Sequence, residues 1–496
     1  MSPLICEVRI ARHAIYNILG HAGPLIVALI VIPILVKNLG TARFGILHYA
    51  WMVVGCFSLF DLGIGRILTK LVAKKMSEGR EQDIPPLVWT SQVILFLLGV
   101  VLALLGAFST PFLVEDILKI PGEIEQETIK VFFLLCLSLP IVISTASIRG
   151  VLEAHKCFGI TSSIRIFVGM FSFLGPLVTL FFSHSLFVIV AVLVGGRIVG
   201  WIAHIVFCLR TVESLKTNIS FAQEAALSVF NFGGWMTITN IIHLLIAYLD
   251  RFLVGALVSV TAVAYYATPY EMVTNFLIIS GSIIKVLFPA LTSSFIQNRH
   301  CTAPLFLRGI KHVFLIIFPI IALIVAFAHE GLNLWLGPEF AQHSAKVLRW
   351  LAIGVFLNSL LQVPFALIQS AGRPDLTAKL NTIELPAYIF SEWFMISRYG
   401  IWGAAVVWFA RQVVDGIILF LLAKRILKDD VFLVRRVGIP VGTAVIYFFL
   451  VAFLADFLHR GLTVILPLIA GAPIIWYLVL TREERIAVWS YIKMLP

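Results

Sequence analysis

Apolar residues fill this chain in stretches of about 20 separated by short polar connections, the length a helix needs to cross a hydrocarbon core of roughly 30 Å. Such windows lie at 14–36, 44–68, 87–109, 129–152, 160–182, 186–209, 227–250, 259–290, 310–331, 345–370, 376–397, 400–423, 436–456 and 460–480. The runs are too long and too continuously apolar for the two-residue alternation of barrel strands. The pattern predicts an all-α polytopic membrane protein with about 14 transmembrane helices.

Polar interruptions recur within that pattern. Arg197 and Arg411 each sit inside a long apolar stretch, 214 residues apart, and Arg210 and Lys424 follow at the same offset. Asn17-Ile-Leu-Gly20 matches Asn231-Phe-Gly-Gly234, and Lys37 matches Arg251, again at that spacing. At an offset of 216, Glu153–Thr161 matches Gln369–Thr377 in two connections. Six helices return a chain to its starting side, so two such units are parallel repeats related by an axis along the membrane normal. The expected organisation is an N-terminal six-helix lobe over 1–216, a C-terminal six-helix lobe over 217–428, and helices 13 and 14 with a cytoplasmic tail over 429–496. Substrate sites in such folds lie between the lobes, which predicts alternating access.

Charge sets the orientation. With the N-terminus inside, 24 of the 37 Lys and Arg residues fall in inner connections and seven in outer ones, counting Arg251 among the outer. The connection from Phe112 to Thr128 is acidic. Cationic loops resist translocation, so both termini are assigned to the cytoplasm. The net charge of +11 is therefore mostly topogenic, binding anionic membrane lipid at most, and gives no support to a nucleic-acid role. Composition agrees, with 60% apolar and 13% charged residues.

Arg9 and Arg12 precede the first apolar run as in a signal peptide. The run is too long, contains Pro24 and Pro33 and leads to no small-residue cleavage site, so it is read as a retained first helix. The six cysteines form no CxxC pair and are read as small apolar residues without disulfides. His204 and His243 have no second histidine at ligand spacing, so no metal site is expected. Trp51, Trp201, Trp235, Trp335, Trp350 and Trp402 are read first as interfacial anchors, with stacking on sugar rings as the alternative.

Several segments resemble one family. Tyr16-Asn-Ile-Leu-Gly20 through Pro33, Leu39-Gly40-x4-Gly45, Phe57-Ser-Leu-Phe-Asp-Leu-Gly-Ile-Gly65, Leu334-Trp-Leu-Gly337 and Ala371-Gly-Arg-Pro-Asp-Leu-Thr-Ala378 are similar to the polysaccharide exporters of the MATE-like MOP superfamily, the Wzx-type oligosaccharide flippases. The resemblance covers nearly the whole chain, although no single motif is as specific as a metal signature. It implies a V-shaped molecule of two lobes that moves undecaprenyl-linked saccharides from the cytoplasmic to the outer leaflet of the bacterial inner membrane.

The intramembrane charges suit that cargo. A lipid-linked saccharide carries phosphate, which a planar guanidinium can grip through paired donors, and the charge is screened little in a low-dielectric cavity. Arg197, Arg411, Lys285 and Arg66 are the candidates for a cationic substrate cavity. Each has a competing structural account, an ion pair with a nearby carboxylate such as Asp61 for Arg66 or Asp415 for Arg411. Glu271, Asp61, Asp415 and Glu384 are the acidic residues well inside the spans and the candidates for gating or for coupling to H+ or Na+. Glu271 follows Pro269, which frees a backbone carbonyl and permits bending.

The function expected is a secondary transporter of a lipid-linked saccharide, acting as a monomer alongside other glycan-assembly proteins and without a cofactor. A lipid II-type flippase or a multidrug exporter of the same superfamily is the alternative, although the cationic bias disfavours cationic drugs. A membrane glycan polymerase or ligase is the rival class; no large outer loop, nucleotide-binding loop, HExxH or nucleophile elbow is present, and no catalytic residue is assigned. A major-facilitator transporter is disfavoured because LVAKKMSEGREQD after the second helix lacks GxxxDRxGRR.

Overall fold

A computed structural model describes residues 3–59, 64–118, 120–217, 220–221, 242, 244–297, 302–427 and 437–457. Every regular element among them is helical. In chain order these are α1 (Pro3–Leu59), α2 (Ile64–Ser77), a 3-10 turn (Glu81–Asp83), α3 (Ile84–Phe112) with a π turn (Leu113–Ile117), α4 (Gly122–Ala154), α5 (Phe158–Thr179), α6 (Leu186–Thr211) and α7 (Ser214–Thr217). They continue as α8 (residues 244–257), α9 (Val260–Thr274), α10 (Leu277–Gln297), α11 (Thr302–Ala326), α12 (Ala328–Leu336), α13 (Pro338–Ser370), α14 (Pro374–Tyr399), α15 (Ile401–Leu427) and α16 (Ile439–Phe457).

Nine helices among the described residues are long and apolar enough to cross a membrane, and the shorter apolar Ile439–Ala452 adds to them. The protein is a multi-pass α-helical membrane protein. Of the 14 apolar windows, 460–480 lies outside the described residues, as does 227–250 apart from 242 and 244–250.

The pattern of one helix per window is broken in two places. The window 14–36 and the part of the next from 44 to 59 fall within α1, whose helical geometry breaks at Gly40 (φ 76°, ψ 161°), and the second window ends in α2. A positive φ there is costly for any side chain with a Cβ, and glycine adopts it freely. The window 259–290 is divided by a turn at 275–276 into α9 and α10. Pro269 inside α9 has no N–H to give Tyr265, four residues earlier. The Ser344 hydroxyl supplies that bond, donating to the Tyr265 carbonyl at 2.8 Å. The carbonyl freed by proline is thus a joint between α9 and α13.

The chain forms two compact units, Met1–Ala264 and Tyr265–Pro496, with the division falling inside α9. In the first unit α4 is the most enclosed helix, packed against α1, α2, α3 and α6. Leu68, Leu87, Val151 and Cys208 form part of its core. In the second unit α13 takes the central place, packed against α10, α11, α12 and α15. They are the fourth and tenth of the sequence windows, six helices apart.

In lipid, helix association relies on packing and interhelical polar contacts more than on removing apolar surface from water. Gly354 on α13 shows the packing term: a Cβ built on it would lie 2.4 Å from the Trp408 ring of α15, so only glycine allows this approach. Tilted and edge-on aromatic contacts attach α16 to the second unit, with Phe448 at 5.2 Å from Phe318 on α11 and 5.1 Å from Phe356 on α13, centroid to centroid. The buried Arg349 of α13 adds a polar tie, its Nη1 donating to the Ala452 carbonyl at 3.3 Å. Helix 13 of the sequence reading therefore docks on the second unit.

Candidate functional site: buried charges in two helical units

In the first unit, Arg197 lies on α6 and its partner on α5. The helices approach closely where Phe171 packs against Gly196. Ser172 follows Phe171, and its hydroxyl donates to the Val168 carbonyl at 2.8 Å while accepting from Arg197 Nη2 at 3.4 Å. The Ser172 carbonyl accepts from the Trp51 indole of α1 at 3.2 Å. Trp51 is held edge-on by Phe44 and His48 and lies 5.2 Å from Phe173. It packs at the joint of α1 and α5. No carboxylate among the described residues forms an ion pair with Arg197, whose cation is satisfied in part by one long hydrogen bond.

Arg411 in the second unit is placed differently. Its Nε lies 3.7 Å from Glu384 Oε2 of α14, and its Nη2 lies 3.6 Å from Asp415 Oδ2 one turn ahead on α15. All three side chains are largely enclosed, between 12 and 14% exposed. The guanidinium also stands over the Tyr388 ring, 5.2 Å from its centroid. Adjacent to it Gln412 turns the other way, accepting from Asn358 of α13 at 2.8 Å. The repeat that matches the two arginines in sequence thus gives them unlike surroundings: a hydroxyl for Arg197, two carboxylates for Arg411.

The other sequence candidates scatter. Lys285 is exposed on α10. Glu271 lies in α9, where its backbone carbonyl accepts from the Asn275 side chain at 2.7 Å, closing the last turn before the break at 275–276. Asp61 lies outside the described residues, as does the side chain of Arg66 on α2. Arg251, assigned to an outer connection, is instead buried within α8 beside Asp250, whose carboxylate accepts its backbone N–H at 2.7 Å. The apolar window ended at residue 250 because the Asp250-Arg251 pair interrupts it, but the helix runs on to 257. Among the described residues no group of three His, Cys, Asp or Glu side chains is arranged to hold a metal ion. His204 Nδ1 instead meets the Gly200 carbonyl of its own helix at 2.7 Å.

One residue escaped the sequence reading. Glu392 is fully buried on α14, with Tyr388 one turn before it and Glu384 two turns before it. The spacing i, i+4, i+8 puts the three on one helical face, a pattern visible in TIELPAYIFSE. Its position near the end of an apolar window disguised it as an interfacial charge.

Comparisons with known proteins agree with this architecture. The family described as polysaccharide biosynthesis protein matches residues 10–295. A putative O-antigen transporter of Shigella flexneri is 29% identical over 419 residues, covering 83% of this chain and 96% of that protein. Among solved structures, an inward-facing multidrug resistance MATE transporter of the MOP superfamily aligns with a TM-score of 0.70 at 15% identity, covering 84% of this chain and 99% of that one. The lipid II flippase MurJ aligns with a TM-score of 0.66 at 12% identity, covering 93% and 96%. The two structures share the fold.

Proposed function

The chain belongs to the polysaccharide biosynthesis protein family, and from that premise we propose that it is a flippase for a lipid-linked oligosaccharide or polysaccharide repeat unit. The transporter name of the Shigella flexneri relative, aligned along 96% of its length, supports this reading. The observation that carries it is Arg197, a cation inside a membrane helix whose recorded partner is the Ser172 hydroxyl. A charge in that position costs several kcal/mol unless it faces a partner or water. A phosphate or acidic sugar is the partner whose chemistry fits a guanidinium fork.

In this reading Arg197 binds the anionic linkage of an undecaprenyl-linked cargo, with the tail left in lipid. Lys285 and Arg66 are further candidates to line the path. Arg411 is assigned to charge balance beside Glu384 and Asp415 rather than to direct cargo contact, because its charge is already met. Movement is by alternating access of the 1–216 and 217–428 lobes, coupled to H+ or Na+, with 429–496 outside the repeat. The protein works as a monomeric transporter rather than an enzyme, in the bacterial inner membrane with both termini cytoplasmic, beside the proteins that assemble the glycan. The distribution of 24 inner against seven outer basic residues in the sequence supports that orientation, and moving the buried Arg251 into a helix leaves the asymmetry intact.

The test is replacement of Arg197 in cells that require the protein for surface glycan. Arg197→Ala is expected to abolish surface glycan at normal protein level, while Arg197→Lys retains part of it. Wild-type glycan in the alanine variant removes Arg197 from cargo binding.

A further inference from the structure

Two carboxylates in the second unit flank one guanidinium: Arg411 Nε lies 3.7 Å from Glu384 Oε2 and Arg411 Nη2 lies 3.6 Å from Asp415 Oδ2. Both oxygens of Glu384 and Oδ1 of Asp415 are closed to solvent and accept no hydrogen bond. Ionised carboxylates only accept, so this arrangement leaves three buried acceptor oxygens without a donor in a medium that screens little.

Arg411 compensates one of the two charges, and at 3.6–3.7 Å it does so by charge rather than by short hydrogen bonds. Arg411 lies between Glu384 and Asp415 as their common counter-charge. Of the neighbouring elements, α14 adds the Tyr388 phenol beneath the guanidinium. From α13, which packs on both α14 and α15, the neutral Asn358 bonds to Gln412, the residue after Arg411. With both carboxylates ionised the triad carries a net charge of −1; with one protonated it is neutral and the acid O–H supplies a donor among acceptors that have none.

We propose that Glu384 and Asp415 share one exchangeable proton and that this pair, poised by Arg411, couples transport to proton movement. The coupling half rests on the transporter reading above; the shared proton stands on the geometry alone. A metal cation fits poorly here, because the guanidinium against both carboxylates repels it and fills the space that further oxygen ligands would need. A proton adds no volume. On taking up one proton the pair passes from −1 to neutral with Arg411, and releasing it restores the charge.

Infrared spectroscopy of the full-length protein in lipid reads the shared proton without any cargo. The wild type is expected to show a buried carboxylic C=O stretch that shifts in D2O, and Glu384→Gln and Asp415→Asn are each expected to lose it. Glu392→Gln, which alters another buried carboxyl of α14, is expected to keep the band. A wild type with no such band, or a band that survives in both the Glu384 and Asp415 variants, overturns the shared proton. The wild-type measurement holds even where a variant fails to fold. Proteoliposomes then test coupling: an imposed proton gradient is expected to drive saccharide movement in the wild type and not in Glu384→Gln. Movement driven by a sodium gradient alone overturns coupling at this pair. A wild type that keeps the band but moves no saccharide under any gradient overturns the flippase reading and the coupling with it, while the shared proton stands.

Discussion

Arg197 Nη2 lies 3.4 Å from the Ser172 hydroxyl, while that hydroxyl is already committed as a donor to Val168. Ser172 therefore presents a lone pair to the arginine and fixes where it points, without cancelling its charge. Removing this one bond in Ser172→Ala is expected to weaken cargo binding by roughly 1.5 kcal/mol, about tenfold, because a long bond to a charged group sits at the low end of its range. Binding of a phosphate-bearing lipid to purified protein measures it, and an effect as large as that of Arg197→Ala would mean Ser172 supports the fold rather than the side chain.

Arg411 is expected to behave as a structural counter-charge. Arg411→Ala leaves Glu384 and Asp415 buried without their cation, and breaking an enclosed ion pair of this kind costs about 3–5 kcal/mol. The triple variant Arg411→Ala, Glu384→Gln, Asp415→Asn removes the stranded charges and should recover most of the loss in thermal unfolding in detergent. No recovery would mean that the guanidinium acts through contacts other than these carboxylates, such as its place over Tyr388.

Gly354 tolerates nothing larger. A methyl group there meets the Trp408 ring at 2.4 Å, and forcing α13 and α15 apart is expected to cost about 1–3 kcal/mol. Gly354→Ala should lower the unfolding temperature, and Trp408→Leu in the same chain should restore part of it by opening space. A neutral Gly354→Ala would show that the two helices separate without penalty.

Glu127 ties three helices together at one end of the first unit. Its carboxylate accepts from the Leu186 N–H at 2.6 Å and the Ser185 hydroxyl at 3.0 Å, at the start of α6, and pairs with Arg43 of α1 at 3.3 Å. This is an N-cap supplied from another helix, and the loss in Glu127→Ala is expected to be about 0.5–2 kcal/mol, the range of an ordinary cap. Glu127→Gln keeps an acceptor for the backbone and should lose less. Hydrogen exchange at the first turn of α6 distinguishes a lost cap, which exposes that turn, from a general loss of stability.

The pH dependence of the connection before α14 has a definite sign. Hydrogen bonds from Arg373 to Asp375, at 3.0 and 3.2 Å, hold the carboxyl of Asp375 below its usual range, and the charges of Arg373 and Lys379 act in the same direction. A carboxyl depressed in the folded state contributes stability that is complete above its unfolded value and is lost as the pH falls through the lower folded value. The wild type should therefore exceed Asp375→Asn in unfolding temperature at neutral pH, and the two curves should converge in acid. A constant difference across that range would mean that the side chain acts by packing rather than by charge.

How much of this was legible in the sequence follows the range of the forces involved. Helices 3 to 6 and 10 to 12 of the apolar pattern match α3 to α6 and α13 to α15, because bilayer thickness and obligatory backbone hydrogen bonding act on each segment separately. Gly40 and Pro269 mark breaks for the same local reason: one permits a positive φ, the other withholds a donor. The candidate charges were also visible, since an arginine or glutamate in an apolar run needs no structure to be noticed. What the sequence alone could not decide is which of them meet. Arg197 and Arg411 match in sequence at an offset of 214, yet their surroundings come from α5 in one case and α14 in the other, and Ser172 and Glu384 are not matched at that offset. Rotation about the helix axis and the choice of neighbour are fixed by packing, through Phe171 against Gly196 and Trp408 against Gly354. Hydropathy, summed over a whole turn, carries no record of either, so only the tertiary structure separated an arginine beside a hydroxyl from one held between two carboxylates.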